Sequence, residues 1–226
     1  MEEKKDESHE TNTNNTQQLF EDINPENRIQ EVESMCMNCN ENGITKILLT
    51  KIPFYKEIII MNFECPHCGY STREVQTGQS LADSGIMFEV KVISARDMSR
   101  RVVKSEYATI RIPEIDLEIP PQTQKGKLST IEGFLLNTYE SLSKALKEGV
   151  YTEIGGEEMD NKIQGVINKI DGVLKLQTLP VKFILEDPGG NSFVENPFAP
   201  NHDPYCKVTH YQRSKEELIV ILLIKK

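Results

Sequence analysis

Two cysteine pairs carry the most specific chemistry in this 226-residue chain: Cys36–Met37–Asn38–Cys39 and, twenty-five residues on, Cys65–Pro66–His67–Cys68. Two residues between cysteines let the backbone turn so that both sulfurs reach one ion, and two such pairs at this separation describe a four-thiolate zinc site. Four thiolates fill a tetrahedral shell and leave no position for water, so the expected Zn2+ is single and structural, with Cys36, Cys39, Cys65 and Cys68 as ligands. His67 lies inside a knuckle, but four sulfurs already complete the shell. Thiol exchange is the competing use of Cys-x-x-Cys, and two pairs in ribbon spacing favour the metal. Between the pairs, Ile44–Lys51 and Lys56–Phe63 are β-prone runs joined at Ile52–Tyr55. The expected order is knuckle, strand, turn, strand, knuckle, with Gly43 and Gly69 supplying positive φ after each knuckle.

Other combinations are weaker. His202, Asp203 and His210 suggest a second metal site, but their spacing is not diagnostic, and a solvent-facing or hydrogen-bonded histidine is the better reading. Gly126–Lys127–Leu128–Ser129 lacks the upstream glycine of a phosphate loop. Cys206 reads as an ordinary thiol. No nucleophile–base constellation stands out, so an enzyme is not expected.

The charge is −9, and residues 1–31 hold nine acidic and three basic side chains, so most of the excess sits there. Phosphate binding draws on clustered Lys and Arg. Arg100–Arg101 and Lys225–Lys226 are only pairs. A nucleic-acid or transcription-complex module is therefore the alternative reading, not the first. Five cysteines, four in metal spacing, suit a reducing compartment, and no apolar leader is visible. Leu218–Ile224 is too short to span a bilayer. The expectation is a soluble intracellular protein.

The elements that must position the site follow in order. Residues 1–31 are polar and acidic, with hardly an apolar side chain before Leu19–Phe20, and are expected to be a disordered tail. Residues 32–76 form the zinc ribbon, whose turn residues Ile52, Pro53, Phe54 and Tyr55 either pack on the next domain or form an exposed prong for a partner. Residues 77–226 form the second domain. There Ile86, Phe88, Val90 and Val92 alternate with polar neighbours, as do Ile115, Leu117 and Ile119, while Tyr107–Ile112 reads as another strand. At about 129–177 the period changes. Ser129–Thr130–Ile131–Glu132 resembles a capping box, and Ile131, Leu135, Leu142 and Leu146 form a helical stripe. After Gly149, Gly155 and Gly156 a second stripe follows, Met159, Ile163, Val166, Ile167, Ile170 and Leu174, which makes a helical hairpin. Strands resume at Val181–Glu186 and Lys207–Tyr211, separated by a turn at Asp187–Asn191 and a proline-stiffened loop at Ser192–Pro200. Leu218–Ile224 reads as a last strand or as an unprotected apolar segment. The fold class is mainly β with a helical insertion.

Ordered motifs connect the chain to a known family. They are Cys36-Met-Asn-Cys39, Leu48-Leu-Thr-Lys-Ile-Pro-Phe54, Cys65-Pro-His-Cys-Gly69, Val103-Lys-Ser105, Arg111-Ile-Pro-Glu-Ile-Asp116, Glu118-Ile-Pro120, Gln124-Lys-Gly126, Thr130-Ile-Glu-Gly133, Asp187-Pro-Gly-Gly-Asn-Ser-Phe-Val-Glu-Asn-Pro197 and Thr209-His-Tyr211. On these stretches residues 32–213 resemble the first half of the eukaryotic zinc-finger family called ZPR-one. The resemblance implies a four-cysteine zinc ribbon followed by a double-stranded β-helix, or jelly-roll-like, domain interrupted by the helical hairpin. It implies a non-enzymatic chaperone or adaptor that binds translation elongation factor one-alpha, preferably GDP-bound, and assists its folding. Receptor tyrosine kinase tails and the survival-motor-neuron complex are further implied partners, with residence in cytoplasm and nucleus. The eukaryotic family carries two such modules in tandem and archaeal relatives one; a single module is found here. The expected contact surfaces are Ile52, Pro53, Phe54 and Tyr55, together with Asn191, Ser192, Phe193, Asn196, Pro197 and Phe198.

Overall fold

The computed structural model describes residues 29–51, 57–77, 81–121 and 126–224. Most of the expected acidic tail, and the expected prong Ile52–Tyr55, lie outside them.

The cysteine-bearing region is an antiparallel sheet of four strands in sequence order: β1 (Gln30–Met35), β2 (Asn42–Lys51), β3 (Glu57–Glu64) and β4 (Ser71–Thr77). The sequence pattern points only to β2 and β3. The knuckles are therefore the turns of two hairpins, β1–β2 and β3–β4, and not the ends of a single hairpin. β1 begins at Gln30, inside the stretch expected to be disordered, because Gln30 pairs with Ile47 and Val32 with Thr45. Its Gln-Glu-Val-Glu-Ser-Met sequence is too polar to announce a strand, yet as an edge strand it has a face turned to solvent.

The second domain has two antiparallel sheets. One is ordered β12 (Cys206–Tyr211), β5 (Gly85–Val92), β10 (Val181–Asp187), β7 (Thr109–Ile112), β8 (Leu117–Ile119); the other is β11 (Phe193–Val194), β6 (Arg101–Lys104), β9 (Lys127–Thr130). Their inner faces share a core that includes Phe88, Val90, Val92, Val102, Ile110, Phe183 and Leu185. A short helix, α1 (Ala95–Met98), joins β5 to β6. The expected strand over Ile115–Ile119 is shorter than its alternation suggests. Pro113–Ile115 forms a 3-10 turn and Asp116 takes φ 55°, so pairing starts only at Leu117.

Between β9 and β10 stand α2 (Ile131–Lys147) and α3 (Val150–Leu174). The N-cap of α2 is Thr130, whose hydroxyl accepts from the Gly133 N–H at 3.0 Å; Ser129 belongs to β9. Ile131, Phe134 and Leu135 are buried on α2, as are Ile167, Ile170 and Val173 on α3. The chain turns at Gly149, and helical geometry fails again at Gly156 (φ 66°, ψ −165°), so the expected glycine turn is spread over two breaks.

Leu218–Ile224 is neither strand nor unstructured. It belongs to α4 (Lys215–Ile224), opened by a reciprocal cap: the Glu217 carboxylate accepts from Ser214 N–H at 2.7 Å, and Ser214 Oγ from Glu217 N–H at 3.2 Å. The Ser-Lys-Glu-Glu sequence is the local signal for that start. Ile221 turns into the protein, while Leu218, Ile219 and Leu222 stay exposed. Loss of an N-cap hydroxyl costs about 0.5–2 kcal/mol. Ser214→Ala is expected to speed amide exchange through the first turn of α4 and leave β12 unchanged, measured by hydrogen exchange; equal rates in both proteins would count against the cap.

The two domains meet along a small apolar seam. Ile58 and Val75 from the ribbon pack with Val103, and Ile60, Leu128 and Phe193 surround them. One backbone hydrogen bond, Val75 N–H to the Gly126 carbonyl at 2.8 Å, stitches β4 to the segment entering β9.

Candidate metal centre

The β2–β3 register places Ile44 opposite Glu64, which brings the two knuckles side by side at one end of the ribbon. Each knuckle is closed by the same pair of backbone bonds. Asn40 N–H donates to the Cys36 carbonyl (2.9 Å) and Cys36 N–H to Glu41 (2.8 Å); Gly69 N–H donates to Cys65 (3.0 Å) and Cys65 N–H to Tyr70 (2.9 Å). The residue ending each turn is left-handed, Asn40 at φ 61° and Gly69 at φ 72°. Asn adopts that conformation more readily than other residues with a side chain. The expectation for Gly69 thus holds, but Gly43 serves a different need. It sits in β2, where a Cβ would come within 2.5 Å of the Phe63 ring.

All four sulfurs lie within 4.8 Å of one another. Cys36 Sγ is 3.6 Å from Cys68 Sγ, and Cys39 Sγ is 3.6 Å from Cys65 Sγ. A disulfide would need about 2.05 Å. A tetrahedron of sulfurs about 2.3 Å from a central zinc has edges of about 3.8 Å, close to the observed separations. The donor set therefore fits one zinc ion. Cys36 and Cys65 are buried, Cys39 is half-buried and Cys68 faces solvent, so the ion would sit at the surface of its own small module. Asn38 N–H points at Cys36 Sγ from 3.4 Å, a contact that stabilises sulfur-borne charge.

Thiols this close share their protons. The Asn38 side chain, helped by the Tyr70 backbone, holds the Cys68 thiol down to about 6. A Glu41 backbone hydrogen bond works to lower Cys39, but burial and the neighbouring sulfurs push it up to about 12. Neither thiol keeps its ordinary value, and a divalent cation would displace the remaining protons.

The other sequence-derived candidates fare differently. His67 is exposed and outside the sulfur cluster. His202 and His210 are also exposed, and among the described residues they join no metal-binding group. Asp203 is committed elsewhere. It and Asp97 flank the buried Arg100 guanidinium, which donates to Asp97 Oδ1 at 2.8 Å and to both oxygens of Asp203. Cys206 is partly buried beside the core, and burial pushes its thiol up to about 11.

Of the loop expected to meet a partner, Asn191 and Ser192 are buried and hold the fold together. Asn191 N–H donates to the Asp187 carboxylate at 2.9 Å, and Ser192 Oγ accepts from Ser105 N–H at 3.0 Å. These two cannot present a contact surface without unfolding the turn. Phe193 packs edge-on against Phe88, with centroids 6.5 Å apart. Asn196, Pro197 and Phe198 are half-buried. The Asn196 amide bridges the loop by donating to the Asn201 carbonyl (2.8 Å) and accepting from Phe198 N–H (2.8 Å), while Arg96 stacks 4.9 Å from the Phe198 ring centre. The loop is preorganised. Sequence patterning gives no sign of the cleft beside it, about 1130 Å³, bounded by β12, β5 and the 200–205 segment.

Comparison with known proteins places both domains in one family. Residues 31–83 match the ZPR1 zinc-finger domain and residues 96–221 the ZPR1 jelly-roll domain. The chain is 43% identical over 201 residues to the zinc finger protein ZPR1 of Drosophila melanogaster, covering 88% of this chain and 43% of that protein. It is 38% identical over 191 residues to the zinc finger chaperone zpr1 of Schizosaccharomyces pombe (84% and 40%). A ZPR1-like protein of Pyrococcus horikoshii is 30% identical over 178 residues, which is 76% of each chain. The chain thus spans about two-fifths of the length of the eukaryotic relatives it matches.

Proposed function

The chain belongs to the ZPR1 zinc-finger family, and from that premise we propose that it is a client-binding folding factor whose client is translation elongation factor one-alpha. The observation that carries this reading is a four-sulfur centre fit for a closed, structural zinc site, set on a ribbon that shares a seam with the jelly roll. Such a frame holds a partner by shape. The fission-yeast relative named as a chaperone matches across both domains. Cys36, Cys39, Cys65 and Cys68 would hold the zinc, and Asn196, Pro197 and Phe198 would supply contacts, with Ile52–Tyr55 as a further contact. Loops already fixed by internal hydrogen bonds lose less entropy on binding. A net charge of −9 speaks against nucleic acid as the partner. Action on a translation factor implies residence in the cytoplasm, and the family resemblance extends this to the nucleus; receptor kinase tails and the survival-motor-neuron complex are secondary partners under the same reading.

Co-expression tests it. Elongation factor one-alpha produced with this chain is expected to show a several-fold higher soluble yield than with a Cys36→Ser/Cys65→Ser variant. Equal yields with both, at matched expression, would refute the client assignment.

A further inference from the structure

The end strand β12 combines three properties that together describe a peptide-docking edge. First, its outer backbone edge is open. Lys91 N–H donates to the Tyr205 carbonyl at 2.8 Å, which sets the alternation of the β5–β12 ladder: residues 205, 207 and 209 turn their backbone groups to β5, while Val208 and His210 turn theirs away. Among the described residues no other strand takes them up. Second, the cleft runs past this edge, because side chains from both faces of β12 line it: Cys206 and Val208 from the inner face, Lys207 from the outer. Third, the two sides differ chemically. The inner side is apolar, with Phe88, Val181, Phe193 and a Val208 that is 47% exposed. The outer side carries Lys91, Lys182 and Lys207, and Glu89 and Glu114 also line the cleft. Lys182 and Lys207 share one carboxylate, Glu89, at 3.5 Å each, and among the described residues no carboxylate pairs with Lys91.

We propose that the open edge of β12 and its cleft bind an extended segment of another protein whose side chains alternate between apolar and acidic. A strand added here sends successive side chains to opposite faces, one set against Phe193 and Val208 and the other against the lysines. Backbone pairing supplies affinity and the alternation supplies selectivity. A second copy of this chain is a poor occupant, since β12 itself, Cys-Lys-Val-Thr-His-Tyr, brings a lysine and no carboxylate. The acidic residues 1–28 are a poor one too: their apolar cluster reads Leu19-Phe20-Glu21-Asp22-Ile23, without the alternation. The proposal rests on the client-binding reading only for the source of such a segment.

The test uses the full zinc-loaded chain and three fluorescent nine-residue peptides: one alternating Val or Phe with Glu, one with Lys replacing every Glu, and one acidic peptide N-methylated at alternate amides. Anisotropy should show binding of the first alone, with amide shifts centred on Cys206–Tyr211. Lys91→Glu/Lys207→Glu, which alters only exposed side chains, should weaken the acidic peptide about tenfold or more and admit the lysine peptide. Equal affinity for both charge forms, shifts centred elsewhere, or no binding up to about 1 mM, a scarcely significant affinity, would overturn the proposal. So would binding that appears only once residues 1–28 are removed, or only on dilution of a self-associated chain, since either assigns the edge to this protein itself. The peptides are synthetic, so a failure here is separate from a failure of the elongation-factor assignment.

Discussion

Chelation at neutral pH should strip one zinc per chain and unfold the ribbon while most of the jelly roll stands. Among the described residues the ribbon's own buried apolar side chains are few, Ile58 and Val75 beside the two buried cysteines, and Ile58 and Val75 already lean on Val103 across the seam. Without metal, four strands with largely solvated faces hold too little apolar surface to offset their ordering entropy. Structural zinc contributes about 10–16 kcal/mol of apparent free energy in isolated finger peptides, which dwarfs that small core. Hydrogen exchange should therefore lose protection throughout β1–β4. Exchange should also quicken at Val103 and Leu128, because the seam uncovers them, whereas Val90, Phe183 and Ile170 in the main core should hold. The pH dependence has a definite sign. Zinc takes thiolates, so loading releases protons and weakens as the solution is acidified. A metal indicator followed as the pH is lowered from neutral should show zinc release that grows with acidity. Unchanged β2–β3 protection in metal-free protein, or elemental analysis finding no zinc, would contradict the centre.

Arg100→Ala should be the most damaging single substitution away from the cysteines. Arg100 is 1% exposed and lies between Asp97 and Asp203, themselves 4% and 5% exposed. Removing the cation strands two buried carboxylates, and breaking such a cluster costs about 3–5 kcal/mol, or roughly 10 °C in Tm for a domain this size. Replacing all three residues by apolar ones of similar volume should recover much of that loss, because the desolvation penalty disappears with the charges. The cluster also responds to acid. Burial alone would raise the Asp97 carboxyl, but hydrogen bonds from Arg100, Ile93 N–H and Ser94 outweigh it and hold it below its ordinary range. Its stabilisation is thus complete above the unfolded carboxyl value and is lost as pH falls through the lower folded one. The wild type should lose Tm at acid pH by this route, and Asp97→Asn should flatten that part of the profile. Asp203 links the cluster to the docking cleft. Its carboxylate accepts from Tyr205 N–H at 2.9 Å at the entry to β12, so Arg100→Ala should also loosen residues 201–205 in hydrogen exchange. An Arg100→Ala protein melting within a degree or two of wild type would show that the charges are tolerated without one another.

Local patterns carry a long way. The metal centre is legible because two residues between cysteines impose a turn whatever surrounds it, and the backbone closes both knuckles in the same way. Alternation in Val181–Asp187 and the apolar stripes of α2 and α3 likewise report a buried face directly. Residues 1–28 and 52–56 lie outside the described residues, so the tail and the prong are expectations drawn from composition. Two further local signals act against the pattern-based expectation: Asn40, which takes the left-handed position expected of Gly43, and Ser214–Glu217, whose cap makes a helix of an apolar run.

The sequence by itself determined the sulfur set, the two-part organisation and the helical insertion, since each follows from residues close together along the chain. Only tertiary structure decided that β1 and β4 complete the ribbon, that Asn191 and Ser192 face inward, that Arg100 meets an aspartate 103 residues away, and that β12 ends its sheet beside a cleft. Those outcomes depend on which distant segments pack together. Burial and the exchange of backbone partners fix them, and neither leaves a mark at fixed spacing in the chain.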